Sequence, residues 1–184
     1  MIFPDNTQDA TGRLDWNLLR YSPISLYSDD DLLEQHVNDL EGEGYSAAVF
    51  ECDGRNRGQI CKQVGAVLGI ETEHDELSLD AFDDHLYDPG RLSRYIPTSG
   101  GLIFVLRGFD HVLAASGSDA HDLLDVLSVH SRIALMLGLR WIVVIKVEDP
   151  DFSVEPIQTQ VKLNQHEALS RSNALVDWDS VLED

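Results

Sequence analysis

The chain has 184 residues, 43% of them apolar, and carries 33 Asp and Glu against 13 Lys and Arg, a formal net charge of −20. That length suits one domain with appendages, and a chain of this size buries about 70% of its unfolded surface, so it needs no disulfide or metal staple to fold. Disorder throughout is excluded by the apolar share. Direct nucleic-acid binding is disfavoured by a surface that repels phosphate backbones. The same charge attracts cationic partners and speeds encounter with them, although acidity also serves plain solubility or salt adaptation. The position of the acids has to decide between these readings.

The opening Met1-Ile-Phe-Pro-Asp5 lacks the basic stretch and apolar run of a signal peptide, and no apolar run approaches the ~20 residues of a membrane span. A soluble, cytoplasmic protein with no membrane partner is expected. Residues 1–20 are polar, with Leu14, Trp16, Leu18 and Leu19 as anchors. Ile24-Ser-Leu-Tyr27 is a short strand. Ser28-Asp-Asp-Asp31 then offers a helix cap and first-turn acids, and Leu32, Leu33, Val37 and Leu40 follow at helical spacing until Gly42 and Gly44. Tyr45 to Cys52 reads as a buried strand, and Asp53-Gly54 turns the chain. Cys52 and Cys61 match no zinc or redox spacing and read as buried free thiols of a reducing compartment.

Ile60, Val64, Val67 and Leu68 form a helical stripe that stops at Gly69. A second helix starts near Ser78 and carries Leu79, Phe82 and Leu86, with Asp88-Pro-Gly90 as its breaker. A loop is expected from Arg91 to Gly101, then a strand over Leu102–Leu106, which Arg107-Gly-Phe-Asp-His111 leaves. A long helix from about Ala120 to Leu137 stops at Gly138, and Trp141–Ile145 is the last core strand. Val161–Leu163 is a weak strand, and the last stretch, Val176 to Asp184, is acidic. Strands that are continuous apolar runs separated by helices imply parallel pairing, right-handed crossovers and burial on both sheet faces.

Motifs of catalysis and cofactor binding are missing. There is no P-loop, nucleophile elbow, zincin helix or zinc knuckle pair. Gly54-Arg-Asn-Arg-Gly58 lacks the third glycine and the Lys-Ser/Thr pair of a phosphate loop, and reads as an ordinary strand-to-helix turn. His36, His74, His85, His111, His121, His130 and His166 show no i, i+4 pairing and read as surface or hydrogen-bonded side chains. No cofactor and no metal are expected. Asp80 and Asp84, with His85 close by, are the one pair available for acid–base chemistry, but no nucleophile accompanies them.

The acids concentrate between Glu71 and Pro89, a window with Glu71, Glu73, Asp75, Glu76, Asp80, Asp83, Asp84 and Asp88 and no Lys or Arg. With Ser78–Tyr87 as helix and about 100° per residue, Leu79, Phe82 and Leu86 share one face. Asp80, Asp84 and Tyr87 share another, roughly 120° round, and Asp83 lies between. The apolar face goes to the core, so the carboxylates face solvent. Either they form a plain solvated face, or they form a negative surface shaped for a cationic groove.

Leu79-Asp-Ala-Phe-Asp-Asp-His-Leu86 resembles the core motif of the barstar family, a Leu-Asp-Ala-Leu-x-Asp-x-Leu helix. Cys52-Asp-Gly54, the helix Ile60 to Leu68, Gly69-Ile70, the strand in Gly100–Arg107, the helix before Gly138 and the strand Trp141 to Ile145 resemble the family's remaining elements in order. Arg13-Leu-Asp-Trp16, Ile24–Tyr27 and the Val154-Glu-Pro156 region resemble a longer variety of the family. The resemblance implies an α/β fold: a three-stranded parallel sheet flanked by helices in residues 45–148. Residues 1–44 would add a strand–helix unit packed on that core, and residues 149–184 a partly irregular C-terminal extension.

It also implies a function other than catalysis. The protein would be an inhibitor, or immunity protein, that plugs the active site of a toxic ribonuclease, its carboxylates standing in for RNA phosphates. Asp80 and Asp84 fall on the family's two inhibitory aspartates, with Asp83, Tyr87, Glu76 and His74 around them at the contact. The approach to the helix departs from the family's Tyr-Tyr-Gly-x-Asn. His74 stands where a tyrosine would pack on the nuclease, and Glu76 where the turn glycine falls. The family's inhibitory glutamate on the last helix aligns near Arg132-Ile133. These departures keep a second expectation open, a barstar-shaped interaction or regulatory protein with a non-nuclease basic partner.

Overall fold

The computed structural model describes residues 13–148, 162–164 and 167. The expected acidic stretch Val176–Asp184, the Val154–Pro156 region and His166 lie outside the described residues. Seven helices and five strands follow in the order α1 (Leu14–Tyr21), β1 (Ile24–Tyr27), α2 (Asp30–Gly42), β2 (Tyr45–Glu51), α3 (Arg57–Val67), α4 (Leu79–Leu86), α5 (Pro89–Tyr95), β3 (Gly101–Arg107), α6 (Phe109–Ala115), α7 (Gly117–Met136), β4 (Trp141–Lys146) and β5 (Lys162–Leu163) among the described residues.

The strands form one parallel sheet in the order β2-β3-β4-β1-β5, four strands with the two-residue β5 added beside β1. This corrects the three-stranded expectation. β1 is not an accessory strand outside the sheet: Ile24 pairs with Val143 and Tyr27 with Lys146. All its residues are buried, because β4 flanks one edge, β5 the other, and helices cover both faces. The fold is therefore α/β with a parallel sheet of four full strands, in which the two-residue β5 covers the outer edge of β1.

Alternation along the strands divides the core in two. Leu102, Phe104 and Leu106 of β3 join Trp141, Val143 and Ile145 of β4 on one face, under α3 to α7. Ile103 and Val105 join Ile142 and Val144 on the other, under Leu18 of α1 and Leu33 and Leu40 of α2. The chain moves from β2 to β3 to β4 across the sheet, but from β1 back to β2 in the opposite direction. Right-handed crossovers put helices on opposite faces when the direction reverses. This explains why α2 is on one side and α3–α7 on the other. On the first face Phe104 links neighbouring strands through edge contacts with Phe50 of β2 (5.0 Å) and Trp141 of β4 (5.1 Å).

Two further expectations change. The loop foreseen from Arg91 to Gly101 begins as helix α5, because Pro89 sits at the first helical position and the Asp88 carboxylate accepts from Gly90 N at 2.9 Å. Proline there starts a helix instead of breaking one, since the missing N–H has no helical partner in any case. Arg107–His111, read as a segment leaving the strand, runs into α6 (Phe109–Ala115) over the buried Phe109 and Val112. Cys52 and Cys61 are buried free thiols, as expected, and burial pushes both pKa values up to about 12.

Candidate acidic interaction site

The acidic helix is set up from α3 outward. Asn56 caps α3 in a capping box with Gln59. The chain then returns: Leu77 N donates to Gly58 O at 3.0 Å, and Leu77 packs into the core. A side chain at Gly58 would meet Glu76 Cβ at 3.1 Å, so this glycine lets the segment before α4 lie close on α3. Gly69, which ends α3, has φ +66, and a Cβ there would lie within 2.0 Å of the Tyr95 ring. Ser78 caps α4 by accepting from Ala81 N at 3.2 Å. Phe82 and Leu86 are fully buried, which fixes the rotation of the helix and turns Asp80 and Asp84 outward.

The expected site residues fall into three groups. Asp80, Glu76 and His74 line an open cleft of about 860 Å³, together with Arg57, Asp119 and Asp122 among others. Asp84 and Tyr87 lie outside the cleft lining, on the exposed ridge of α4. Asp83 turns back toward the protein, its Oδ1 2.6 Å from His130 Nε2. Among the described residues, neither Asp80 nor Asp84 has a hydrogen-bond or ion-pair partner. Glu76 is occupied: its carboxylate accepts from Asn56 Nδ2 at 2.6 Å. The His74 side chain is exposed, while its backbone carbonyl accepts from Lys62 Nζ.

Several functional neighbours are not apparent from the local sequence around the helix. Arg57 reaches Asp119 and Asp122 of α7, each at 2.9 Å, so the single guanidinium of the cleft lining is shared by two carboxylates. Four carboxylates, Glu76, Asp80, Asp119 and Asp122, thus face that one guanidinium in the lining, and negative charge remains in excess. His130, on α7, is fully buried beneath α4. Its spacing of three residues from the buried Leu127 was the available signal, because it places the imidazole on the apolar face of α7. Tyr87, 57% exposed, stands on His130 edge to face with ring centroids 4.7 Å apart.

Burial disfavours the His130 imidazolium more than the Asp83 carboxylate favours it, so its pKa lies below the ordinary histidine value. The neutral ring then donates from Nε2 to Asp83, and its Nδ1 is buried with no partner among the described residues. Arg132 lines a small cleft with Leu19, Ser22 and Pro23.

Elsewhere, Asp53 holds His111 at 3.0 Å, and Tyr27 OH lies 2.8 Å from His36 Nδ1. Among the described residues, no group of three or more His, Cys, Asp or Glu side chains is arranged to hold a metal ion, and no helix is long and apolar enough to cross a membrane.

No family model, no curated protein and no solved structure matches this chain.

Proposed function

We propose that this protein is a barstar-family inhibitor, a cytoplasmic immunity protein that binds a basic ribonuclease toxin and occludes its active site with α4. One observation carries the reading: Asp80 at the cleft and Asp84 beyond it stand exposed one helical turn apart on a core-anchored helix, without a neutralising partner among the described residues, beside the exposed Tyr87. Like charges at i, i+4 repel, so the helix gains nothing from the pair by itself. A cationic groove supplies what the pair lacks, and Tyr87 provides the rigid aromatic contact common at protein interfaces. The chain acts by occlusion and carries out no catalysis.

The test is titration of candidate ribonucleases, including any encoded beside this protein, with wild type, Asp80→Ala and Asp84→Ala. Stoichiometric inhibition by wild type is expected. Asp84→Ala weakens it by at least about 2 kcal/mol, the range of interface anchors, of which the barstar aspartate is itself the standard instance. Unchanged inhibition by Asp84→Ala would falsify the site assignment.

A second reading keeps the fold and the acidic face but takes a non-nuclease basic partner. It is favoured by the segment before α4, where Glu76 is engaged by Asn56 and seated against Gly58, instead of the glycine turn of the family. Failure to inhibit any ribonuclease, with the protein folded and a different basic protein captured through Asp80 and Asp84, decides for it.

A further inference from the structure

We infer that His130 is the positioning residue of the acidic helix: it ties Asp83 back to α7 and seats the Tyr87 ring. That leaves Asp80 and Asp84 as the carboxylate pair that meets the partner, and the partner as a surface with two cationic side chains one helical turn apart. The inference rests on the reading of α4 as a binding face, and adds which of its groups are used and what they select.

Three acids project from the outward half of α4, and their sequence positions alone do not rank them. The geometry does. His130 is fully buried, and the only hydrogen bond of its side chain among the described residues runs from Nε2 to Asp83 Oδ1 at 2.6 Å. A neutral imidazole has one N–H to give. Turning Asp83 outward would strand that donor in the core, next to an Nδ1 that already lacks a partner. Asp83 is therefore committed inward, with 34% of its side chain exposed.

The same ring supports Tyr87 at 4.7 Å and an interplanar angle of 76°, an edge-to-face contact against one side of the phenol ring. What remains outward is the row Asp80, Asp84, Tyr87. Its two carboxylates are separated along the axis by about 6 Å, four residues of helical rise. Two guanidinium or ammonium groups at that spacing, flanked by a surface flat enough for the tyrosine ring, are the complement. A partner with a single isolated cation can satisfy only one carboxylate and leaves the other unpaired in the contact.

The test is NMR on the full chain, with L-arginine amide as the cationic probe. Long-range imidazole spectra of wild type are expected to show the proton on Nε2 of His130, slow to exchange with water, and Asp83→Ala is expected to speed that exchange. Carboxyl carbons of Asp80 and Asp84 are expected to shift with the probe, and Asp83 to stay still. His130→Phe keeps an aromatic ring beneath Tyr87 but removes the donor, so Asp83 should then respond like its neighbours. His130→Gln keeps an N–H near the Nε2 position, so Asp83 should stay silent while Tyr87 loses its ring contact. This second variant guards against a fold defect in the first.

A proton on Nδ1, or an Asp83 that responds to the probe in wild type as strongly as Asp80, would overturn the positioning role. If His130 behaves as expected but Asp80 and Asp84 respond no more than the exposed Asp31 and Glu41, the binding face itself fails, and the inference about its partner fails with it.

Discussion

A buried charge or a buried neutral titratable group makes stability depend on pH, and this protein holds both kinds. Asp15 is 3% exposed and sits among Arg13, Arg140 and Tyr45, each donating at 2.9 Å. Burial opposes its ionisation, but the hydrogen bonds from Arg13 and Tyr45 outweigh that, and its pKa lies below the ordinary 3.8. The folded state then binds fewer protons than the unfolded state, so Asp15 contributes stability above pH 3.8 that is lost as pH falls through its folded pKa. His130 is also lowered, from 6.5. The unfolded chain takes up this proton first, so its contribution is present above pH 6.5 and declines as pH falls below that. Cys52 and Cys61 act at the other end. Raised from 9.0 to about 12, they stabilise the fold below pH 9.0 and lose that contribution as the pH climbs toward 12. Urea midpoints across pH are expected to fall in these separate windows. His130→Phe, which carries no titratable ring, removes the decline that begins below 6.5 and leaves the Asp15 limb in place. An unchanged decline in that variant would assign it to other groups.

At the scale of elements, α4 is the piece on which the functional reading depends, and it is short. Eight residues do not hold a helix in water on their own. Burial of Phe82 and Leu86 and the Ser78 cap supply what propensity does not. Ser78→Ala should therefore cost about 1 kcal/mol of stability. Gly69→Ala should cost more, because a Cβ at φ +66 meets the Tyr95 ring as well as backbone strain. Chemical denaturation of both variants checks the order; equal losses would mean that Tyr95 moves aside.

The same elements mark how far the sequence carries. β3 and β4 were legible as uninterrupted apolar runs, and α4 as a stripe with its acids opposite; β2, expected to be buried, is instead an edge strand with Ser46, Val49 and Glu51 exposed. α1 was not: Arg13 makes no side-chain cap, and the helix is tied down by the distant bonds of Asp15 to Tyr45 and Arg140. α5 was hidden because Pro89-Gly90 has the composition of a breaker. β1 was legible as a strand, but its place beside β4 was not, since pairing is chosen by the whole sheet and not by local pattern. Of the site, Asp80, Asp84 and Tyr87 could be placed by helical phase. The inward turn of Asp83 could not, because it depends on a histidine 47 residues further along the chain.

For the whole molecule, the balance of charge sets how a partner is found before any contact forms. Arg13, Arg57, Arg107, Arg140 and Lys146 are all engaged by Asp or Glu side chains of the same chain. These cations are spent internally, and much of the −20 excess faces solvent. Such a field captures a basic protein at long range, and salt shortens its reach from about 30 Å at 0.01 M to about 8 Å at 0.15 M. The association rate with the proposed ribonuclease partner is expected to fall by about tenfold or more over that range, and the dissociation rate to change much less. Asp84→Ala should divide the two rates the other way: it removes one charge from many, so association slows little, while loss of a desolvated contact speeds dissociation. Stopped-flow mixing at several salt concentrations separates the terms. If association is insensitive to salt, the acidic surface serves solubility and the encounter depends on the α4 ridge alone. If salt and Asp84→Ala both act on association and neither on dissociation, the ridge only steers, and the groups that hold the complex lie elsewhere on the surface.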